Sequence, residues 1–529
     1  MRGWIQDCLR SIIGLGITGL GLPLQIVHLF KIRTFFWTQR RLRQQYAIGA
    51  EAPILSYGKE LEELIQRAAS QAKQEVRFAL TSGSTARPKR IFYSRRRLRS
   101  VKLAYQDVFV RSCWGLGIGR KSLYIFSSFG KDDSLTSLLL EESNFPPYLS
   151  TLQAPYRIEC HPAIQDLASH YGVTAVRLWI LAIANPGVLY STNPSTLSKF
   201  LDELAANWQR SSQLIRDFCN QLGSFDPAIG KIAQRLNSRG SSERLMRIAT
   251  SGRALPLEAC APAVEAYVCW TGGYVKPFLD RLASHLPSQR YRLIPMYSMS
   301  TESVQTISHF GEDSVAFLPL ASRVFYEFLE EGEEGSENLC TPEQLQVGKA
   351  YTMVLSDPYG LRRYQTGDLF LCRGFVAGLP DLCFLRRQGL EYSFTGEKLT
   401  AEHVSIVFQK LREQYEWLES ADFLTCVPSQ PEDEPIPHYK MVLIGDSNDW
   451  AEISGSEVAR RCDVLLGRVN LEYKNKRASR RLGPVQFVGI PLSDFVDRIG
   501  GSQHQDSWQT QFKFLPLYRR TWEEVNRWG

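Results

Sequence analysis

The segment FALTSGSTARPKRIFYS, residues 78–94, restricts what this chain can fold into more than any other. Five small hydroxyl or glycine residues in a row, Thr81, Ser82, Gly83, Ser84 and Thr85, are followed at once by Arg87, Lys89 and Arg90. Glycine permits close backbone approach, hydroxyls and free N–H groups donate to phosphate oxygens, and the cations balance their charge. The apolar run Val76, Phe78, Ala79, Leu80 predicts a strand, so the loop leaves a strand end, where α/β folds hold ligands. No G-x-x-x-x-G-K-[ST] can be written through it, which excludes a Walker loop. A plain Ser/Thr/Gly turn before a basic surface strand is the competing reading.

A chain of 529 residues is too long for one core, and roughly two to four domains are expected. The balance of 62 basic against 55 acidic residues, +7 net, suits an anionic ligand or a membrane surface without demanding nucleic acid. Eleven cysteines occur with no C-x-x-C pair and no zinc-site spacing. Free thiols in a reducing cytosol are therefore expected.

Residues 12–30, IIGLGITGLGLPLQIVHLF, carry no charged side chain apart from His28. The stretch is about long enough to span a bilayer, but four glycines, Pro23, Gln25 and His28 weaken a spanning helix. The flank from Lys31 to Arg43, interleaved with Phe35, Phe36 and Trp37, suits an anionic lipid surface. A buried helix, a peripheral lipid contact through residues 12–43 and a true span all stay open. No small-residue cleavage site precedes the basic run, against a signal peptide. The G-x-G-x-x-G match Gly14–Gly19 lacks a preceding strand and a later acidic partner, so it is not read as a nucleotide fingerprint.

Periodicity predicts helices over 56–74 and 196–220, then strand-like runs at 266–270 and 291–297 alternating with helix, the pattern of a parallel α/β sheet. The acidic run Glu327–Glu337 reads as a solvated loop. The runs 351–356, 368–375 and 382–387 read as strands of a smaller antiparallel or barrel-like layer. From about residue 390 the mixture becomes a compact α+β unit: helices at 401–414 and 455–473, strands near 421–427, 439–445 and 485–489. A boundary near Arg386–Gly389 follows.

Three further segments hold unusual polar residues. Tyr297–Glu302 follows an apolar strand and ends in a carboxylate that could hold magnesium against phosphates. Gly360–Asp368 ends in a Gly-Asp turn able to aim an acceptor at a vicinal diol such as ribose. Lys513 is a lone lysine among apolar residues in QFKFLP. Singly, a surface Glu, a turn Asp and a snorkelling Lys are the stronger explanations.

In this order they resemble the adenylate-forming enzymes, and more closely the auxin-responsive-promoter family of acyl-acid amido synthetases, the plant auxin- and jasmonate-conjugating enzymes with their bacterial relatives. The resemblance runs from about residue 76 to 518 and is most specific over VGKAYTMVLSDPYGLRRYQTGDLFLCRGF, 347–375, and PDLCFLRRQGLEYSFTGEKLTAEHV, 380–404. Phe325–Phe328, 437–446, 470–487 and 511–516 add to it. It implies an α/β fold of the firefly-luciferase-like, adenylate-forming class. The large N-terminal adenylation domain would span 1–388, with 1–45 as an apolar and basic extension, and a small α+β cap would span 389–529.

The implied activity is ATP- and Mg2+-dependent activation of a carboxylic acid as acyl-adenylate, then transfer to an amino-acid amine. Coenzyme A as acceptor, a catalytically silent acyl- or nucleotide-binding relative, and a nucleic-acid module built on the basic region 87–102 are the alternatives. By match to the family, Thr81, Ser82, Gly83, Ser84 and Thr85 would grip phosphate, and Gly272 and Gly273 would form a turn near the adenine and acyl pockets. Thr301 and Glu302 would be the pair whose carboxylate is associated with magnesium. Asp368 would bind ribose, Arg386 would sit at the hinge and reach the nucleotide, Lys398 would fall in a lysine-bearing motif, and Lys513 would act in adenylation. The chain departs from the family at Ala86-Arg87, where a glycine is usual, and at Arg362, where an aromatic residue often stands.

Overall fold

A computed structural model describes residues 20–49, 51–71, 76–80, 90–117, 123–126, 135, 138–139, 158–220, 225–272, 275–296, 301–311, 314–388, 391–395, 397–421, 423–431, 436–445, 455–491, 494–495, 515–518 and 521–523. Helix α1 (residues 20–33) leads at Thr34 into α2 (Phe35–Gln45), and α3 (Lys59–Gln71) follows. The helix expected over 56–74 is present; Leu61, Ile65 and Ala69 of α3 recur at helical spacing and are buried, while Leu64 and Ala68 are half-buried. Of the N-terminal helices only one face is buried. Among the described residues no helix is long and apolar enough to cross a membrane.

Strands β1 (Val76–Leu80) and β2 (Arg90–Ser94) pair antiparallel, with Leu80 opposite Arg90. The strand expected before the hydroxyl-rich segment is there, and the basic segment after it forms its antiparallel partner. The Arg90 guanidinium lies over the rings of Phe78 and Phe92, at 4.1 and 5.3 Å. Ser94 then caps α4 (Arg95–Gly115), accepting from the Arg97 N–H at 3.3 Å.

The expected parallel sheet is formed by β3 (Leu123–Ile125), β4 (Val188–Tyr190), β5 (Ala266–Cys269) and β6 (Arg292–Pro295), hydrogen-bonded in that order. The helix Val173–Ala184 is buried at every position from Thr174 to Ala184 and forms the centre of the adjoining helical layer around Trp179. The predicted helix 196–220 is broken into Pro194–Ala206, Trp208–Ser211 and Gln213–Asn220. The break at Asn207 turns Trp208 inward, where its indole N–H donates to the Ser251 carbonyl at 3.0 Å.

A hairpin of β7 (Ile307–Phe310) and β8 (Val315–Leu318) precedes a four-stranded antiparallel meander. The meander comprises β9 (Phe325–Glu330), β10 (Ala350–Ser356), β11 (Tyr364–Val376) and β12 (Leu379–Arg387). This is the smaller antiparallel layer read from the sequence. The acidic run needs correction, because its first residues belong to β9 and Glu327 is buried rather than solvated. Charge alone suggested a loop; the compensating cation lies 36 residues away.

Beyond residue 390 the α+β pattern holds. The short β13 (Glu391–Tyr392) and β14 (Leu399–Thr400) pair, and β15 (Phe423–Ser429), β16 (His438–Ile444) and β17 (Gln486–Ile490) form a second sheet. Helix Ala401–Arg412 and helices Gly455–Val469 and Leu471–Ala478 pack with it around a separate core. The predicted helix 455–473 is interrupted at Asn470, whose side chain caps the next helix by accepting from the Tyr473 N–H at 2.9 Å. This C-terminal layer touches the rest of the chain through the Phe278 and Phe423 rings, 5.8 Å apart, and an Arg281 bond to the Ala421 carbonyl at 3.1 Å.

Candidate active site

Strand β11 organises the site. Side chains alternate across a strand, so Tyr364, Thr366 and Asp368 share one face, and all three are buried. The segment Thr301–Gln305 lies against that face. The Tyr364 hydroxyl donates to Glu302 Oε1 at 3.0 Å, and Gln305 Nε2 donates to Asp368 Oδ2 at 2.8 Å. Two carboxylates separated by 66 positions are thus fixed along one stretch of strand. The Thr366 hydroxyl accepts from the Asp368 N–H at 3.3 Å, and Gly367 takes a φ of +72°, so the Gly-Asp turn expected from the sequence is a bulge within β11, between Gln365 and Leu369.

Arg97 fixes the other side of Glu302. Three arginines in the first turn of α4 oppose the helix dipole, yet Arg97 is turned inward and is only 3% exposed. Its guanidinium donates to the Phe92 carbonyl at 2.9 Å and to the Glu302 carbonyl, and it lies 3.7 Å from Asp357 Oδ2. The Tyr93 hydroxyl donates to the neighbouring Thr301 carbonyl. Burial pushes the Tyr93 phenol well above its ordinary range, so it stays a neutral donor. Asp357 is also raised: burial outweighs Arg97 and the N–H groups of Leu361 and Tyr359.

The turn between β10 and β11 is pinned from two directions. Arg363 holds Glu327 with a bidentate pair, Nε to Oε2 at 2.8 Å and a terminal nitrogen to Oε1 at 2.7 Å, and also donates to the Ala52 carbonyl at 2.6 Å. Gly360 carries a φ of +107°, and an added Cβ would fall 2.4 Å from Ile65 Cα, so α3 packs on the turn only because no side chain is there. Arg362, the departure from the family pattern, donates to the Tyr46 carbonyl at 2.6 Å. Gly272 is similarly tight: an added Cβ would come within 2.9 Å of the Phe384 carbonyl oxygen on β12. Gly272 therefore sits directly on the strand that pairs with β11.

Of the sequence-derived site residues, Gly272, Thr301, Glu302 and Asp368 are gathered around β11 and β12. The Arg386 backbone pairs with Leu369, one residue from Asp368, and the Gln388 N–H donates to the Gly367 carbonyl at 2.6 Å. Thr81, Ser82, Gly83, Ser84, Thr85, Gly273, Lys513 and the Arg386 side chain lie outside the described residues.

Lys398 belongs to the C-terminal layer. It is exposed and holds a left-handed φ of +44°. Its neighbour Glu397 is fully buried and accepts from the Phe394 and Thr395 N–H groups at 2.8 and 2.9 Å and from the Tyr439 hydroxyl at 2.6 Å. Burial raises the Glu397 carboxyl, but the Tyr439 and backbone donors outweigh it and leave the group below its ordinary range. Asn470 donates to the Glu397 and Lys398 carbonyls at 2.8 and 3.3 Å.

Sequence reading missed Arg97, Gln305 and Glu397. Arg97 is hidden among exposed arginines at 95, 96 and 99, and Gln305 gave no signal at all.

A profile of the GH3 family central domain matches residues 317–387, from β8 through β12. The chain carries a GH3 central domain. It includes Asp368, Tyr364, Arg363 and Glu327, and the resemblance read over 347–375 is borne out. The chain is 24% identical over 351 residues to the indole-3-acetic acid-amido synthetase GH3.4 of Arabidopsis thaliana, covering 60% of this chain and 56% of that relative. It is 25% identical over 146 residues to a jasmonoyl-L-amino acid synthetase, GH3.5, of Oryza sativa subsp. japonica, covering 27% and 24%. The chain spans little more than half the length of the first of these. Its fold matches a solved acyl acid amido synthetase, AtGH3.15 in complex with 2,4-DB, with a TM-score of 0.67 at 17% identity over 90% of this chain and 86% of that one. A 2-hydroxyisobutyryl-CoA ligase in the postadenylation state matches at 0.51 and 13% identity over 92% and 86%. The fold around the GH3 domain is that of the adenylate-forming enzymes.

Proposed function

We propose that this chain activates a carboxylic acid with ATP and passes the acyl group to an amino-acid amine, releasing AMP and pyrophosphate. The observation that carries the reading is the fixing of Glu302 and Asp368 along one face of β11, inside and beside the GH3 domain. A carboxylate resists attack by an amine because oxide would have to leave. Its oxygen therefore attacks the α-phosphorus of ATP as the bond to pyrophosphate breaks; the amine nitrogen then attacks the acyl carbon, AMP leaves, and the ammonium proton is lost. Such chemistry asks the protein mainly for positioning and charge neutralisation.

Asp368, oriented by Gln305, would accept from the ribose hydroxyls, and the turn at Gly272 and Gly273 would line the adenine and acyl sides. Thr81, Ser82, Gly83, Ser84 and Thr85 would hold the phosphates, and Lys513 would neutralise charge at the α-phosphate. Among the described residues no cluster of three metal-binding side chains exists. The carboxylate of Glu302, with Thr301 beside it, would be the group that holds a magnesium ion against the phosphates. That ion would supply charge neutralisation as pyrophosphate departs. The domain division at 388/389 and a cap that turns about Arg386–Gly389, carrying Lys398 and Lys513, belong to the same reading. So do a cytoplasmic setting, supported by the nine free cysteines among the described residues, and a peripheral lipid contact through residues 12–43.

Basic surface for a nucleic-acid partner loses Arg97, which is spent inside the protein. A screen of carboxylic acids by AMP release, with each amino acid and coenzyme A as acceptor, tests the proposal. An acid that releases AMP and yields an amide supports it. A thioester product would move the chain to the acyl-CoA ligases, and no AMP release with any pair would remove the enzyme reading.

A further inference from the structure

The N-terminal helices take no part in the proposed chemistry, and their two faces differ. Inward-facing His28, Ile32, Phe35, Gln39, Leu42 and Tyr46 repeat at three- and four-residue steps and are all buried. They fasten the helices to the body. His28 Nε2 lies 3.0 Å from His309 Nδ1; Gln39 donates to the Val324 carbonyl at 3.0 Å and accepts from the Tyr326 N–H at 2.9 Å; the Tyr46 hydroxyl donates to the Arg323 carbonyl at 2.7 Å. Gly21 sits against the Trp114 side chain, leaving no room for a Cβ. The helices are therefore part of the folded body, and whatever their outer face binds orients the whole protein.

That outer face is a second stripe at the same spacing: Leu22, Ile26, Phe30, Arg33, Trp37 and Arg41. Leu22, Ile26, Phe30 and Trp37 are 52, 58, 65 and 64% exposed, and both arginines are exposed. The apolar residues occupy one end, the cations the other, and Trp37 stands among the cations with the Arg41 guanidinium 5.7 Å from its ring centre. No Asp or Glu occurs between Asp7 and Glu51.

A protein partner would account for the apolar end alone. The acid-free cationic end with its tryptophan fits a surface that is apolar inside, amphipathic at its boundary and negatively charged outside. We propose that this stripe docks on an anionic phospholipid bilayer. Leu22, Ile26 and Phe30 enter the acyl region, Trp37 lies at the headgroup level, and Arg33 and Arg41 pair with lipid phosphates and carboxylates. The inference gives the expected lipid contact a defined face and lipid class, and it does not depend on the ligase reading.

Sedimentation of the full chain with phosphatidylcholine vesicles, with and without phosphatidylserine, tests it. Binding to the serine-containing vesicles should exceed binding to the neutral ones by about tenfold and fall with salt. Ile26→Glu with Phe30→Glu should lose binding to both vesicle types by about tenfold or more, while Arg33→Glu with Arg41→Glu should lose the preference for anionic lipid. His309→Ala, on the inward side, serves as a control that leaves the stripe itself untouched and should retain lipid selectivity. The proposal is overturned if the wild-type chain ignores phosphatidylserine vesicles at low salt, if either stripe variant binds like wild type, or if the face instead sustains a dimer that Ile26→Glu with Phe30→Glu dissolves.

Discussion

Arg97 shows how a residue outside the chemistry can govern it. Its guanidinium holds the backbone carbonyl next to the candidate magnesium carboxylate and faces a buried Asp357. Removing one partner of a buried ion pair leaves the other charge stranded, at a cost of about 3 kcal/mol. Arg97→Met is therefore expected to lower the urea midpoint accordingly. At a temperature where near-UV circular dichroism shows the variant folded, it should also lose acid-dependent nucleotide exchange by about tenfold or more, because Glu302 is no longer held. Full exchange activity in the folded variant would confine Arg97 to stability. The sequence offered no means of separating it from Arg95, Arg96 and Arg99, since burial depends on the approach of residues 302 and 357 from far along the chain. Asp368 was readable because its Gly-Asp pair lies within a segment of strong resemblance; its orienting partner Gln305 was not.

Elements were readable where local pattern and tertiary setting agree. The strands at 350–356, 364–376 and 379–387 bury alternating or continuous apolar sets, and the sequence marked all three. Helix 196–220 failed because its apolar positions continue through Asn207 while the chain bends there to bury Trp208. The acidic run failed at its start because the Arg363 partner of Glu327 is distant in sequence. Around Lys398, local pattern gave the lysine and concealed the support.

The buried Glu397 carboxylate binds its proton less tightly folded than unfolded. Its stabilising contribution is then present above the unfolded value near 4.5 and is lost as pH falls through the lower folded value. Glu397→Gln should cost about 2 kcal/mol at neutral pH, because an amide cannot accept from all of these donors. The difference in urea midpoint between variant and wild type should shrink as the pH is taken below the ordinary carboxylate range. A difference that stays constant down to pH about 2 would show that the charge is not what matters.

For the whole molecule, the antiparallel GH3 layer closes where the Gln388 N–H, just past β12, bonds to the Gly367 carbonyl near the start of β11, and the C-terminal α+β layer follows directly along the chain. A nucleotide held by Asp368 on one side and by residues of the last layer on the other would lie at that junction. Layer order was readable from the switch between alternating and helical periods. The contacts that join the last layer, Phe278 on Phe423 and Arg281 on Ala421, were not, since nothing local distinguishes those residues. Activation of an acid at this site requires that separate groups serve one ATP. Carboxylic-acid-dependent exchange of labelled pyrophosphate into ATP measures this before any acceptor is needed. The wild-type chain should exchange with at least one acid, and Asp368→Ala and Lys513→Ala should each fall by about a hundredfold or more. Exchange left intact in both variants, or absent from the folded wild-type chain across a broad panel of acids, would contradict it.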